Sequence, residues 1–191
     1  MPQPETALPE INVLPGGSHL VTEPTVLCTL LGSCVGIAFL IPRLGVGALC
    51  HPMLPTYPAP PPLNRSVAAG RRYVDFAIRD LAAQFNSMGA RPSEVRVKLF
   101  GGGDVLLVVD DASRPTVGRL NREAALRVLE EHGFEVVASS LGGTTGVNIK
   151  FNTATGEVLL KRLRKTAIDH DRGMNDGPLG TSEVSNTERR P

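Results

Sequence analysis

Three short apolar runs stand near the start of the chain, and each is rich in Val, Leu, Ile or Ala. A Gly-Ser pair separates the first run from the second, and a Pro-Arg pair separates the second from the third. Short runs of β-branched and other apolar residues, bounded by turn-forming residues such as Gly, Ser and Pro, are typical of β-strands. Because apolar residues occupy both odd and even positions, the runs predict strands that are buried on both faces. The predicted strands cover residues 25–31, 34–41 and 45–50.

Two later segments repeat apolar residues at steps of three or four, which is the period of an amphipathic helix. The repeating residues are Val74, Ala77, Ile78, Leu81, Phe85 and Met88 in the first segment, and Leu120, Ala124, Val128 and Leu129 in the second. A glycine follows each segment, as is common at helix ends. The sequence therefore predicts two main helices, over residues 66–88 and 116–132.

Four more strands are predicted beyond the first helix. Residues 95–100 alternate apolar and basic side chains, which is typical of a strand with one exposed face. The other three cover residues 134–141, 146–152 and 157–163, and a Thr-Ala-Thr-Gly turn joins the last two. Residues 52–62 hold six prolines and predict a loop beside the first strands. Since strands outnumber helices, we expect an α+β domain with at least two sheet faces.

Composition narrows the function classes. Hydrophobic residues make up 41% of the 191 residues, which is enough for a buried core. Lys and Arg number 20 against 19 Asp and Glu, there is no Trp, and aromatic residues reach only 4%. A nucleic-acid binder normally carries a basic excess and stacking aromatics, so nucleic acid is not an expected partner.

The chain is expected to hold one domain that is not inserted in a membrane. Its most apolar stretch, residues 26–49, is interrupted by glycines, a proline and an arginine, so it does not predict a spanning helix. No secretory signal is visible at the start, which favours a cytoplasmic location. We predict a flexible N-terminus over residues 1–10, a folded domain over 11–165 and a disordered, polar tail over 166–191.

Cys34 is the first candidate for chemistry, because it follows a tight Gly32-Ser33 turn at the start of a buried strand. Such a turn leaves backbone N–H groups free to point at the thiol or at a neighbouring oxyanion. His51 follows the third strand, and a hairpin-like return could bring it within hydrogen-bond reach of Cys34. A free thiol has a pKa of about 8.5, and a nearby imidazole can activate it as a nucleophile.

Other interpretations of the same residues stay open at this point. Free cysteines are often core residues, and Cys28 and Cys50 also lie in apolar runs. The three cysteines and His51 could in principle hold a metal, although their spacing matches no standard zinc pattern. The run from Gly101 to Asp104 lacks the Gly-Lys-Ser/Thr of a P-loop and indicates a close turn.

Six segments together resemble the chemoreceptor glutamine deamidase (CheD) family. The two central motifs are a Leu-Gly-Ser-Cys-Val turn and a His-x-Met-Leu-Pro segment, and they follow each other at the same distance along the chain as in the family. The resemblance covers roughly residues 10–165. The matching segments are Thr29 to Gly36 with Gly45 to Pro55, Lys98 to Gly103, Val117 to Asn121, Leu141 to Gly143, and Asn152 to Gly156.

The resemblance implies a layered α/β/β sandwich of mixed sheets with two main helices. It also implies an amidohydrolase that converts glutamines of methyl-accepting chemotaxis receptors to glutamates. Cys34 would be the nucleophile and His51 the base, while Thr29, five residues before the cysteine, would be the third catalytic residue. Gly32 and Ser33 would lie at the oxyanion, and neither a metal nor an organic cofactor would be needed.

The resemblance further implies a CheC-type phosphatase as a binding partner. Two alternatives stay open: a methylesterase acting on receptor glutamyl methyl esters, and a non-catalytic adaptor that binds a phosphatase or receptor. One departure from the family concerns the acidic residue that many relatives carry between the Cys and His segments. Here the turn Ile41-Pro42-Arg43-Leu44 replaces it, which could alter substrate or partner preference.

Overall fold

A computed structural model describes residues 7–58, 66–105 and 115–164, and within these ranges the chain forms two β-sheets and three α-helices. The strands are Glu10–Asn12 (β1), Ser18–Val21 (β2), Val26–Leu31 (β3), Val35–Ile41 (β4), Val46–Cys50 (β5), Arg96–Gly101 (β6), Glu135–Leu141 (β7), Val147–Asn152 (β8) and Val158–Arg162 (β9). The helices are Val67–Gly70 (α1), Val74–Ser87 (α2) and Val117–Glu131 (α3). None of these helices is long and apolar enough to cross a membrane.

The five-stranded sheet forms the centre of the fold, in the order β2-β5-β4-β6-β7. Its β6–β7 pair is parallel, and its other pairs are antiparallel. One face packs against α2 and α3, where Phe39 meets the rings of Phe85 and Phe134 at centroid distances of 5.4 and 5.9 Å. Strands β4 and β5 are buried on both faces, as the continuous apolar runs predict.

The four-stranded sheet, in the order β1-β3-β8-β9, covers the other face of the central sheet. Leu27, Leu31 and Phe151 of this outer sheet pack against Ala38 and Leu49 of the central one. Helices, central sheet and outer sheet therefore form three layers, and the predicted α/β/β sandwich with mixed sheets is confirmed.

The prediction that the first strand is buried on both faces is wrong. In β3, every second residue faces the central sheet, but Leu30 is 54% exposed and Cys28 is half-buried. The reason is that β3 lies in the outer sheet, whose second face is not covered by any described helix or strand. An apolar run does not by itself distinguish the central sheet of a sandwich from its outer sheet.

The helix predicted over residues 66–88 is two helices with a break between them. The carbonyl of Arg72 accepts hydrogen bonds from the N–H groups of Met53 and Leu54, and Leu54 forms a bridge with Tyr73. Residues 71–73 are thus occupied by pairing with the segment that follows β5. This pairing fixes the start of the proline-containing loop against the beginning of α2.

The short strands β1 and β2 are absent from the sequence prediction. They have three and four residues and pair with β3 and β5, respectively. Neither shows the longer period-2 pattern by which strands are recognised. The predicted limits of the domain stay predictions, because residues 1–6 and 165–191 lie outside the described residues, although β1 already begins at Glu10.

Candidate functional site

His51 is placed at the end of β5 by hydrogen bonds on both sides of its backbone. Its N–H donates to the carbonyl of Gly17 at 2.9 Å, and its carbonyl accepts from the N–H of Gly16 at 2.7 Å. Side chains alternate along β5, with Leu49 facing the outer sheet and Cys50 facing the helices. The ring of His51 therefore faces the outer sheet, and the residue is only 2% exposed.

Thr29 of β3 meets this ring from the opposite sheet. Its Oγ1 lies 2.7 Å from the Nδ1 atom of His51 and 2.7 Å from the carbonyl oxygen of Val13. A hydroxyl has one hydrogen to donate, and a carbonyl can only accept. Thr29 therefore donates to Val13 and accepts from the Nδ1–H of His51. This arrangement selects the tautomer of His51 that carries its lone pair on Nε2.

The Nε2 atom of His51 is buried and has no hydrogen-bond partner among the described residues. Burial lowers the pKa of His51, although the Val13 carbonyl partly opposes this shift. The ring is therefore neutral at pH 7, and Nε2 can accept a proton.

Cys34 precedes β4, which is the neighbour of β5 in the central sheet. Ile37 pairs with Cys50, and the bond from the N–H of Val35 to the carbonyl of Pro52 at 3.4 Å continues that register. Residue 36 therefore lies opposite His51, and it is a glycine. Cys34, two residues earlier, faces the same layer between the sheets and packs against its apolar cluster.

Cys34 and His51 thus lie at the ends of adjacent strands and on the same face of the central sheet, and no hydrogen bond joins the sulfur to Nε2. Cys34 is half-buried, and burial raises the pKa of its thiol. A raised thiol pKa and a lowered imidazole pKa both favour the uncharged forms. Burial thus acts against charge on both the thiol and the imidazole.

The turn at Gly32-Ser33-Cys34 is held in place by hydrogen bonds that its carbonyl groups accept from neighbouring segments. The carbonyls of Gly32, Ser33 and Cys34 accept hydrogen bonds at 2.8, 3.0 and 2.7 Å from Gly103 N–H, Asn121 Nδ2 and Gly102 N–H, respectively. The N–H groups of Gly32 and Ser33 donate to no described residue, and the N–H of Cys34 is directed at its own sulfur. Backbone N–H groups left free in a tight turn form a concavity that can receive an anion.

The glycine run after β6 makes this close contact possible. Gly101 and Gly102 have φ angles of 83° and 63°, a region that favours glycine. A Cβ atom on Gly101 would lie 2.5 Å from the carbonyl oxygen of Cys34. The sequence predicted a close turn over Gly101 to Asp104, but the segment leaves β6 without a regular turn, and nothing in the sequence indicates that it packs on the cysteine.

Asn121 of α3 ends one of the family-like segments, but the sequence prediction gave its side chain no role. It is fully buried, and its Nδ2 donates to the carbonyls of Ser33 and Met53, each at 3.0 Å. Its Oδ1 has no partner among the described residues. Asn121 shares a helix face with Ala124, Ala125 and Val128. A polar residue on an otherwise apolar stripe is the pattern that could have identified it.

The other two cysteines face away from this site. Cys50 is buried on the helix side of the central sheet, and desolvation raises the pKa of its thiol to about 12. Cys28 lies on the outer face of β3, 3.7 Å from a carboxylate oxygen of Glu10, so it is not a core thiol. Among the described residues, no group of three or more His, Cys, Asp or Glu lies together in a way that could hold a metal ion.

Comparisons with known proteins are consistent with this arrangement. The chain is 43% identical over 162 residues to "Probable chemoreceptor glutamine deamidase CheD 2" of Geobacter sulfurreducens, covering 85% of this chain and 95% of that protein. It is 36% identical over 169 residues to "Probable chemoreceptor glutamine deamidase CheD" of Maridesulfovibrio salexigens, covering 86% and 98%.

Among solved structures, the hypothetical protein YfiH of Bacillus licheniformis has a TM-score of 0.43 and 14% identity, over 66% of this chain and 51% of that one. A family model described as CheD chemotactic sensory transduction matches residues 53–162. The matched region begins just after His51 and includes Asn121, while the two relatives above extend over most of the chain. The chain belongs to the CheD family.

Proposed function

We propose that this protein is a chemoreceptor glutamine deamidase, which hydrolyses the side-chain amide of receptor glutamines to glutamate and ammonia. Membership of the CheD family and the names of the relatives support the reaction class. The observation that carries the proposal is the 2.7 Å contact between Thr29 and His51 Nδ1. It orients a neutral imidazole with a free Nε2 on the strand next to Cys34.

The first step is the attack of Cys34 on the amide carbon. Because burial acts against charge on both the thiol and the imidazole, Nε2 of His51 takes the thiol proton as the sulfur–carbon bond forms. The carbonyl oxygen becomes an oxyanion, which would accept hydrogen bonds from N–H groups of the Gly32-Ser33-Cys34 turn. One such donor commonly contributes about 3–4 kcal/mol to catalysis.

The remaining steps return the proton and release the product. The imidazolium gives its proton to the departing nitrogen, so that ammonia leaves and a thioester forms on Cys34. His51 then deprotonates a water molecule, which attacks the thioester and regenerates the thiol as glutamate leaves. Throughout, Thr29 accepts from Nδ1–H and keeps the ring in one tautomer, the role that an acidic residue has in other triads. This route uses neither a metal ion nor an organic cofactor.

The proposed substrates are methyl-accepting chemotaxis receptors, modified on their cytoplasmic part. The family resemblance adds a CheC-type phosphatase as a proposed regulatory partner. The chain departs from the family in the turn between β4 and β5, where an acidic residue of many relatives is missing. Arg43 of this turn forms an ion pair with Glu94, with 2.8 Å between Nε and Oε1. That pair lowers the pKa of Glu94 to about 2, so both groups stay charged at any physiological pH.

The test is coexpression with a receptor fragment, followed by mass spectrometry of its peptides. We expect selected glutamines to become glutamates with the wild-type protein and to remain unchanged with the Cys34→Ala variant. Cys28→Ala is the matched control, because it also replaces a cysteine by alanine, but on the outer face of β3 and away from the site. Methanol released from methylated receptor in place of ammonia would identify the methylesterase. Receptor binding without any change in the peptides would identify the adaptor.

A further inference from the structure

We propose that Asn121 is a positioning residue that sets the distance and angle between the nucleophile turn and the histidine segment. This inference rests on the proposed function, since it gives Asn121 a role in the chemistry of Cys34 and His51. It assigns that role to a side chain on α3, which is outside the two strands that carry the reacting groups.

The contacts of Asn121 reach both halves of the site. Ser33 immediately precedes Cys34, and Met53 comes two residues after His51. The Nδ2 atom donates to both of their carbonyls at 3.0 Å. Since carbonyls only accept, the two contacts also establish which end of the amide is nitrogen. The backbone bond that joins the two segments directly, from Val35 to Pro52, is longer at 3.4 Å.

The amide group is suited to this task because it is planar. Its two N–H bonds diverge from one nitrogen at a fixed angle, so the two acceptors must take up a defined separation. The short side chain also has few rotamers when it is buried on a helix. The position of the turn and that of the histidine segment are therefore coupled through one rigid group.

Simple core packing does not explain the residue. Asn121 is fully buried, yet its Oδ1 has no partner among the described residues. Burying an amide with an unmade acceptor is unfavourable, and an apolar residue would avoid this cost on a face that otherwise carries Ala124, Ala125 and Val128. What the amide supplies is the pair of contacts to Ser33 and Met53.

Loss of these contacts is expected to affect turnover and not receptor binding. Because Asn121 has no exposed surface, it cannot contact a receptor. Without it, the carbonyls of Ser33 and Met53 are released, and both Cys34 and the free N–H groups of its turn shift relative to His51. A misplacement of about 1 Å can cost about a hundredfold in rate.

The first experiment compares Asn121→Ala and Asn121→Leu with Val128→Ala. The Leu variant keeps the branching at Cγ but has no polar atoms, and Val128 is a fully buried residue of the same helix face without polar contacts. We expect both Asn121 variants to lower kcat for deamidation by about tenfold to a hundredfold with KM unchanged. Val128→Ala should match the wild type once corrected for the folded fraction. A loss of kcat that Val128→Ala reproduces would overturn the proposal.

The second experiment measures alkylation of Cys34 by iodoacetamide at pH 7, which requires no receptor. The result therefore does not depend on whether the protein is a deamidase. We expect Asn121→Ala and His51→Ala to slow alkylation of Cys34 to a similar extent, because in both variants the thiol loses its base. In the double variant, the loss should be no greater than in His51→Ala alone, since Asn121 acts through the pair. Additive losses, or alkylation at the wild-type rate in Asn121→Ala, would overturn the proposal.

Discussion

The layer between the two sheets ends in two different ways. At one end, which we call the closed end, Val35 pairs with Gly101, and the polar groups of Thr29 and His51 are buried and fixed by the backbone. At the other end, which we call the open end, Leu40 pairs with Arg96, and the two sheets border a cavity of about 340 Å³. That cavity is lined by mostly apolar residues together with Thr155, Arg96 and Lys98.

The contrast shows what each end can do. The basic groups at the open end stay partly solvated, and the Lys98 ammonium makes one contact, to the carbonyl of Gly156 at 2.8 Å. Such long side chains carry charge without a fixed geometry. At the closed end, short side chains on strands are held within narrow limits, and burial shifts the pKa values of both Cys34 and His51. Catalytic chemistry needs the second kind of environment.

The largest expected effect is the loss of activity in Cys34→Ala. No other described thiol faces the layer near His51, so no acyl-enzyme can form. We expect no ammonia release above background from a receptor fragment. Cys28→Ala, on the outer face, should keep its rate within about twofold of the wild type. Full activity of Cys34→Ala would show that the reaction takes place elsewhere, and the closed end could then no longer be distinguished from the open end as the catalytic one.

The three thiols should also differ in reactivity toward iodoacetamide. Cys34 is expected to react first, because Nε2 of His51 is available to take its proton. Cys50 should be the slowest, since burial raises the pKa of its thiol to about 12 and leaves far less thiolate at pH 7 than an exposed thiol has. Mass spectrometry of peptides after timed quenching gives the order. If Cys28 reacted first, exposure would outweigh the effect of the histidine.

Thr29→Val tests the bond that fixes the imidazole. Valine keeps the shape of the side chain but cannot accept from Nδ1–H or donate to Val13. We expect a loss of about tenfold to a hundredfold in kcat, smaller than for His51→Ala, because a neutral hydroxyl orients the ring without carrying charge. Steady-state ammonia release measures it. A Thr29→Val variant with the wild-type rate would assign the orienting role to the Val13 carbonyl.

Much of this arrangement could be predicted from sequence because it depends on local patterns. Strands β4 and β5, the helix periodicity, and the glycine turn beside Cys34 each follow from residues close together in the chain. Asn121 and the Gly16–Gly17 contacts to His51 depend on tertiary packing between segments far apart in sequence. The break at residues 71–73 has the same cause, since backbone pairing with Met53 and Leu54 overrides the helical pattern there.

The burial of His51 predicts a pH dependence of stability. Its pKa is lowered in the folded state, so the unfolded chain binds the proton more readily as pH falls below about 6.5. The free energy of unfolding should therefore decrease from pH 7 toward pH 5, and His51→Gln should show a smaller decrease. Urea unfolding at several pH values measures it, and equal slopes for the two proteins would contradict it. The deamidation rate should begin to fall only at a lower pH than the stability does, because it depends on the lowered pKa of folded His51, and a protonated Nε2 cannot accept the thiol proton.

The smallest effect is expected at the open end of the layer. Lys98→Ala removes the contact with Gly156 and a charge from the rim of the cavity, but nothing that holds Cys34 or His51. We expect a rate of deamidation within about twofold of the wild type and a loss of stability of about 1 kcal/mol, the usual contribution of one hydrogen bond. Thr29→Val removes a single hydroxyl at the closed end and is the matched comparison. If Lys98→Ala reduced kcat as strongly as Thr29→Val does, the two ends would be coupled through β6, and the open end would have to be counted as part of the catalytic apparatus.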